Sequence, residues 1–168
     1  MGDVYTVAII GSGPAGLSAA ARAAALGLSH VLLEKTDHLS DTIYKYQKGK
    51  HVMATPSNLV LRSDLDFDAG KREVILDTWD RQVAEGKVTV RTNADVTGIA
   101  GQAGAFTLTL QDGSTVEAEA VVLAIGTQGN PNLLRLPGGD LPHVQYQLDD
   151  PTEYVDEHIT VIGSGDAG

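Results

Sequence analysis

The chain has no cysteine and few basic residues. Without cysteine among its 168 residues, it can form neither disulfides nor thiolate metal sites within this sequence. Its 12 Lys and Arg stand against 22 Asp and Glu, for a formal net charge of −10, which argues against sequence-independent binding to nucleic-acid phosphates. No apolar run approaches the ~20 residues of a membrane span. We therefore expect a soluble cytoplasmic protein that binds neither nucleic acid nor a membrane.

Metal-binding patterns are lacking as well. Asp64, Asp66 and Asp68 alternate along the chain, but no glycine turn or distal glutamate completes a calcium loop around them. We therefore expect no metal site. Asp68 is instead predicted to cap the helix that follows it.

Glycine, by contrast, is abundant, and its first cluster lies in a recognisable setting. An apolar run at residues 4–10 leads into Gly-Ser-Gly-Pro-Ala-Gly at 11–16, and an alanine-rich segment predicted as helix follows at 17–28. A second short apolar run then ends at Glu34. This order is typical of a dinucleotide-binding unit: a strand, the G-x-G-x-x-G loop, a helix, a second strand and an acid. The alternative is a structural βαβ turn that binds no ligand.

Each residue type in this unit has a physical role. Gly11 allows a tight turn off the strand, Gly13 lets a pyrophosphate approach the backbone, and Gly16 lets the helix pack close to the sheet. The start of the helix offers unpaired N–H groups and a partial positive charge to a phosphate. Glu34 follows Gly16 at close to the ~20-residue spacing of the acid that binds ribose hydroxyls.

The remainder of the chain continues the α/β pattern. Residues 35–50 are predicted as a polar loop with one helical turn that contacts the cofactor within 40–42. Residues 69–85 predict a second helix, ended by Gly86, whose core face carries Ile75, Trp79 and Val83. Four further segments are then predicted. They are a parallel strand at 88–91, an antiparallel meander at 94–119 with a hairpin turn at 111–114, an apolar strand at 120–125, and a linker rich in proline and glycine at 129–142.

A second fingerprint closes the sequence. An apolar run at residues 158–162, predicted as a strand, leads into Gly-Ser-Gly-Asp-Ala-Gly at 163–168. Two fingerprints of one type, each following an apolar run, argue against chance. Because the chain stops where the next helix should begin, we expect it to be the front part of a longer protein.

With both fingerprints in view, the chain resembles the pyridine nucleotide–disulfide oxidoreductase superfamily, of the low-molecular-weight thioredoxin-reductase type. The resemblance runs from residue 4 to 168 and also rests on Glu34, the strand and turn at 120–127 and Leu-Pro-Gly-Gly-Asp at 136–140. The bacillithiol-disulfide-reductase-like group has a similar front half, and its members can carry a cysteine where this chain has Ala15. The implied fold is α/β: a Rossmann-like FAD/NAD(P)-binding parallel sheet with helices plus a small antiparallel β-meander.

The resemblance also implies roles for individual residues. The first fingerprint would bind the FAD pyrophosphate, Glu34 the adenosine ribose, and the backbone of Val96 the adenine, while the second fingerprint would bind NADH or NADPH. No catalytic residue is assigned. The implied cofactor-binding residues are Gly11, Ser12, Gly13, Pro14, Ala15, Gly16, Glu34, Lys35, Asp41, Thr42, Val96, Ala124, Ile125, Gly126, Gly163, Gly165 and Gly168.

The implied protein passes a hydride from NAD(P)H to FAD and then reduces an acceptor, with a disulfide as one candidate. Residues 1–127 would be the front portion of the FAD-binding domain, 128–157 a linker, and 158–168 the start of an NAD(P)H-binding domain. The thioredoxin-reductase type carries its redox cysteines in that second domain, so their absence here leaves disulfide chemistry open. By itself, the 168-residue chain is expected to be inactive and to bind FAD weakly or not at all.

Two other functions stay open at this point: a flavin-dependent monooxygenase, and a non-catalytic nucleotide-binding or electron-transfer module. The sequence does not decide the electron acceptor or the choice between NADH and NADPH. It also leaves the oligomeric state open, with a homodimer as one option.

Overall fold

The structure is a computed structural model that describes residues 4–54, 63–127, 133–146 and 150–163. Within these residues, strands and helices alternate in the first half, and strands follow one another in the second. The elements are β1 Val4–Ile10, α1 Pro14–Ala25, β2 His30–Leu33, α2 Asp41–Tyr44, β3 His51–Val52, β4 Gly70–Lys71, α3 Arg72–Glu85, β5 Val90–Arg91, β6 Val96–Gln102, β7 Ala105–Leu110 and β8 Thr115–Leu123.

The largest described sheet has six strands in the order β5-β2-β1-β8-β7-β6. β1 pairs in parallel with β2 on one side and β8 on the other, and β2 pairs in parallel with β5. Apolar side chains on both faces of the central strands are buried, and Ile9 and Leu32 are fully so, as expected of parallel strands covered on both sides. Because Ile10 lies in register with Leu33, the glycine loop and Glu34 leave the sheet at the same edge.

The helices form where the sequence pattern predicts them, but their bounds differ: α1 covers Pro14–Ala25 and not 17–28, and α3 begins at Arg72 and not at residue 69. Trp79 is buried, and its indole N–H donates to the Asp66 carbonyl at 2.7 Å. The predicted cap at Asp68 is wrong, because α3 begins at Arg72 and its first flanking residue is Lys71, with no side-chain cap. The physical reason is that residues 70–71 pair with β3 as strand β4 and delay the helix.

The meander is confirmed, but it belongs to the main sheet. The predicted break between strands 114–119 and 120–125 is wrong, since β8 runs through both without interruption. No glycine or proline interrupts this strand. Residues 115–118 of β8 pair with β7 in antiparallel fashion, and residues 117–123 pair with β1 in parallel. One strand therefore joins the two parts of the sheet. The hairpin turn before β8 is present, with Gly113 at φ +83°.

The second apolar run does not form a strand. Residues 158–163 have no regular structure, so the predicted strand at 158–162 is wrong for the described chain. Ile159, Val161 and Ile162 are 58–71 % exposed, because no described strand lies beside them to pair with their backbone. The preceding segment holds a short 3₁₀ helix, Pro151–Tyr154. None of the helices in the described ranges is long and apolar enough to cross a membrane.

Candidate functional site

The glycine loop, residues 11–16, connects β1 to α1 and is packed tightly at two of its glycines. Gly11 has φ +95°, and a Cβ there would lie 2.6 Å from the Ala124 carbonyl oxygen. A Cβ on Gly16 would lie 1.8 Å from the carbonyl oxygen of Gly11. The protein's own backbone packing therefore requires glycine at both positions.

Gly13 lies in a different environment. It has φ −67°, which any residue can adopt, and a Cβ there would meet no atom of the described residues within 4 Å. Neither the fold nor the backbone conformation therefore requires glycine at this position. The space beside Gly13 is open for a ligand to approach the backbone.

The N-terminus of α1 supplies the polar groups that face this space. The first helical hydrogen bond runs from the Leu17 N–H to the Gly13 carbonyl at 2.9 Å. The N–H groups of Gly13, Ala15 and Gly16 have no acceptor among the described residues, as is usual at a helix start. Pro14 and Ala15 are exposed, and the first turn carries no acidic side chain. This end of α1 is thus suited to an anion such as a phosphate.

Glu34 connects the end of β2 to the glycine loop. Its Oε2 accepts from the Ser12 N–H at 2.9 Å and the Ser12 hydroxyl at 2.5 Å. Its Oε1 accepts from the Thr36 N–H at 3.0 Å and the Thr36 hydroxyl at 3.1 Å. Burial raises the pKa of Glu34, but the hydrogen bonds from Ser12 and Thr36 together bring that pKa below its ordinary 4.5. The buried carboxyl is therefore ionised at neutral pH and faces the loop.

The lowered pKa of Glu34 makes a testable contribution to stability. Because the folded-state pKa lies below 4.5, this contribution is present above about pH 4.5 and is lost as the pH falls through the folded pKa. We expect Glu34→Gln to lower the thermal unfolding midpoint at about pH 7. The difference in unfolding midpoint between Glu34→Gln and wild type should narrow steadily below about pH 4.5. A gap that keeps its full size down to about pH 3 would contradict the assignment.

Ser40 holds the next loop against the glycine loop. Its backbone is left-handed at φ 56°, and its side chain is 2 % exposed. The Ser40 N–H donates to the Ser12 hydroxyl at 2.9 Å, and the Ser40 hydroxyl donates to the Ser12 carbonyl at 3.0 Å. The sequence pattern does not reveal Thr36 or the inward role of Ser12. The one available signal was the run of polar residues directly after the acid.

The helical turn α2 carries a second polar cluster. His38 places Nδ1 2.6 Å from Asp37 and Nε2 3.0 Å from Asp41, and its ring stacks on Tyr44 at 3.8 Å. Asp41 also accepts from Lys45 Nζ at 2.9 Å. Burial raises the pKa of Asp41, but the hydrogen bond and charge of Lys45, together with His38, lower it overall. Asp41, predicted as a cofactor contact, is thus engaged within the protein.

The other predicted residues lie at varying distances from the loop. Lys35 and Thr42 are exposed. Val96 begins β6, two residues after Ala94, whose N–H donates to the Glu34 carbonyl at 2.8 Å. This hydrogen bond brings the start of the meander to the same edge of the sheet as Glu34.

The turn after β8 crosses the glycine loop. The Ala124 N–H donates to the Ile10 carbonyl at 2.8 Å, and the Ala124 carbonyl lies against Gly11. Ile125 is 70 % exposed, and Gly126 has φ +66°. The two predicted segments, residues 11–16 and 124–126, are therefore in direct contact.

The second fingerprint and the alternating aspartates contribute little to this site. Gly163 is exposed with φ +121°, and Gly165 and Gly168 lie outside the described residues. Asp64 lies 3.7 Å from Arg22, whereas Asp66 accepts from Gln82 at 2.7 Å. In the described ranges, no three histidine, aspartate or glutamate side chains come together in a metal-binding arrangement.

Comparison with known proteins now decides the family. A family model for pyridine nucleotide-disulphide oxidoreductases matches residues 8–168. The chain belongs to this family. A relative, the ferredoxin–NADP reductase of Ignicoccus hospitalis, is 30 % identical over 159 residues, which cover 94 % of this chain and 48 % of the relative. The chain thus spans about half the length of this relative, and the predicted superfamily is confirmed.

Solved structures agree on the fold. The bacillithiol disulfide reductase of Staphylococcus aureus superposes with a TM-score of 0.78 at 26 % identity, covering 92 % of this chain and 48 % of that one. A flavin-containing monooxygenase from Stenotrophomonas maltophilia gives 0.63 at 21 % identity, covering 79 % and 42 %. The latter likeness shows the fold alone. The predicted Rossmann-like α/β class is confirmed.

Proposed function

We propose that this chain forms the FAD-binding part of an NAD(P)H-dependent flavoprotein oxidoreductase. Residues 1–127 bind FAD, residues 128–157 form a linker, and residues 158–168 begin an NAD(P)H-binding domain. The observation that carries the proposal is the open Gly13, beside unpaired amides at the start of α1, at the edge of the sheet where Glu34 is held. Membership of a pyridine nucleotide-dependent family supports the choice of cofactors.

The residues present fit the adenosine diphosphate half of FAD. The open space at Gly13 admits a pyrophosphate, and the free amides of the glycine loop donate to it. The ionised Glu34 accepts from a ribose hydroxyl, and the backbone near Val96 lies beside the adenine. The 124–126 turn, with exposed Ile125, passes next to the cofactor. FAD, when bound, supplies the hydride chemistry, and the protein binds and orients it.

The second half of the reaction requires an electron acceptor. The names of the relatives suggest two classes for this chain, a ferredoxin or a low-molecular-weight disulfide. An oxygen-using monooxygenase has the same fold, but no feature of the described site favours it over a reductase.

The proposal is tested with the complete flavoprotein under anaerobic conditions. We expect NADH or NADPH to bleach the flavin absorbance and a ferredoxin or a disulfide to restore it. Flavin that NADH and NADPH both leave oxidised would contradict the reductase function and favour a non-catalytic module. Reoxidation by oxygen added afterwards, but by neither a ferredoxin nor a disulfide, would indicate a monooxygenase.

Glu34 gives a more local test of the FAD site. We expect Glu34→Ala in the complete protein to weaken FAD binding by about 1–3 kcal/mol, the usual scale for a lost hydrogen bond to a charged group. The measurement is a fluorescence titration of the apoprotein with FAD. Glu119→Ala, which removes an exposed carboxylate, serves as the matched control. Equal FAD affinity in wild type and Glu34→Ala would refute the assignment.

A further inference from the structure

The hydrogen bonds to Glu34 leave it limited capacity for a ligand. A carboxylate offers about four acceptor positions, two on each oxygen. The Ser12 N–H and hydroxyl occupy both positions of Oε2, at 2.9 and 2.5 Å. The Thr36 N–H occupies one position of Oε1 at 3.0 Å. Any ligand hydroxyl must therefore use the remaining position on Oε1.

That remaining position can be vacated without loss to the protein. The Thr36 hydroxyl has one hydrogen but two acceptors: the Glu34 Oε1 at 3.1 Å and the His38 carbonyl at 2.8 Å. The shorter contact is the one to His38. When a ligand hydroxyl arrives at Oε1, the Thr36 hydroxyl keeps a partner, and no buried donor is left unpaired.

Ser12 fixes the orientation of the carboxylate. The Ser12 side chain is fully buried, and its hydroxyl donates to Oε2 while accepting from the Ser40 N–H at 2.9 Å. Ser40 returns a second bond to the Ser12 carbonyl at 3.0 Å. With its hydroxyl engaged inward, Ser12 acts on a ligand through Glu34 and not by touching it.

In this arrangement the backbone of Ser40 adopts an energetically unfavourable conformation. A left-handed backbone, here φ 56°, is unfavourable for a residue with a side chain and persists where the surroundings enforce it. The two hydrogen bonds to Ser12 supply that enforcement. They also tie the loop between β2 and α2 to the glycine loop.

From these contacts, we propose that Ser12 is a positioning residue for the ribose of the bound dinucleotide. Ser12 hydrogen-bonds to both Oε2 of Glu34 and Ser40 and thereby fixes the carboxylate. Oε1 then presents a single acceptor position to one ribose hydroxyl. The Thr36 hydroxyl releases that position by bonding to the His38 carbonyl. The inference rests on the proposed FAD site and extends it. Ser12 is therefore assigned a role separate from the pyrophosphate contact predicted for the fingerprint.

The test compares two ligands in the complete apoprotein: FAD, and an FAD analogue that lacks both hydroxyls of the adenosine ribose. Wild type should prefer FAD by about tenfold or more, the scale of one hydrogen bond to a charged group. Ser12→Ala should reduce this preference to about twofold. Because the preference is a ratio within one variant, a change in overall stability does not by itself move it.

Two further variants complete the design. Ser18→Ala removes a nearby serine hydroxyl, in α1, that is bonded to Ser63 at 3.0 Å, and should keep the wild-type preference. Thr36→Val should also keep it, because Oε1 stays open, so the inference can still be refuted by this variant if Ser12→Ala does not fold. An unchanged preference in Ser12→Ala, or a lost preference in Thr36→Val, would overturn the inference. Wild-type protein that binds no FAD would instead overturn the proposed function.

Discussion

Replacing Gly16 with alanine is expected to destabilise the fold more than any other single change considered for this chain. The new Cβ would lie 1.8 Å from the Gly11 carbonyl oxygen and 3.3 Å from the Ala124 Cβ. Overpacking against side chains typically costs about 1–3 kcal/mol. Here the obstacle is backbone fixed at the end of β1, so we expect a loss of about 4 kcal/mol or more in the free energy of unfolding.

Urea denaturation followed by tryptophan fluorescence measures this loss, because Trp79 is buried in the same core cluster as Leu17 of α1. Gly27→Ala is an unsuitable control, since its φ of +69° adds strain of its own. Gly13→Ala is the better match, because it lies in the same loop and the part of the chain that the structure describes places no neighbour within 4 Å of the added methyl. A Gly16→Ala protein as stable as Gly13→Ala would contradict the close approach of α1 to the loop.

Gly13→Ala is expected to separate binding from folding. Its backbone angle of −67° suits alanine, so the structural cost should be limited to the poorer helix cap, about 0.5–1 kcal/mol. The methyl group would, however, enter the space proposed for the pyrophosphate. We expect FAD affinity in the complete protein to fall by about 100-fold or more, or about 2.7 kcal/mol.

Equilibrium titration with FAD and urea denaturation of the same sample give both numbers for Gly13→Ala. If FAD binds this variant as it binds wild type, the pyrophosphate does not lie against Gly13. If Gly13→Ala loses as much unfolding free energy as Gly16→Ala, the assignment of open space beside Gly13 is wrong. The contrast between neighbouring glycines thus distinguishes a glycine required by packing from one required by a ligand.

Sequence alone predicted the parts of this fold that depend on local spacing. The turn at Gly11, the close packing of the helix at Gly16 and the placement of Glu34 near the glycine loop follow from residue types a short distance apart in a βαβ unit. The buried face of α3, including Trp79, follows from helical periodicity. Each of these features is set by neighbours along the chain.

Other features depend on partners far away in sequence, and local patterns do not reveal them. Asp68 has the chemistry of a helix cap, but residues 70–71 pair with β3 and move the helix start. The link between Ser12 and Ser40 spans 28 residues and joins two polar side chains common in loops. The run at 158–162 matches the apolar character of β1, yet no strand forms there among the described residues, because pairing requires a neighbouring strand.

The most direct measurement of the central claim is a crystal structure of the complete protein with FAD bound. We expect the FAD pyrophosphate to lie against Gly13 at the N-terminus of α1. One ribose hydroxyl should bond to Glu34 Oε1, with Ser12 still on Oε2. An FAD whose pyrophosphate lies away from α1, or whose ribose leaves Glu34 with only protein donors, would contradict the account.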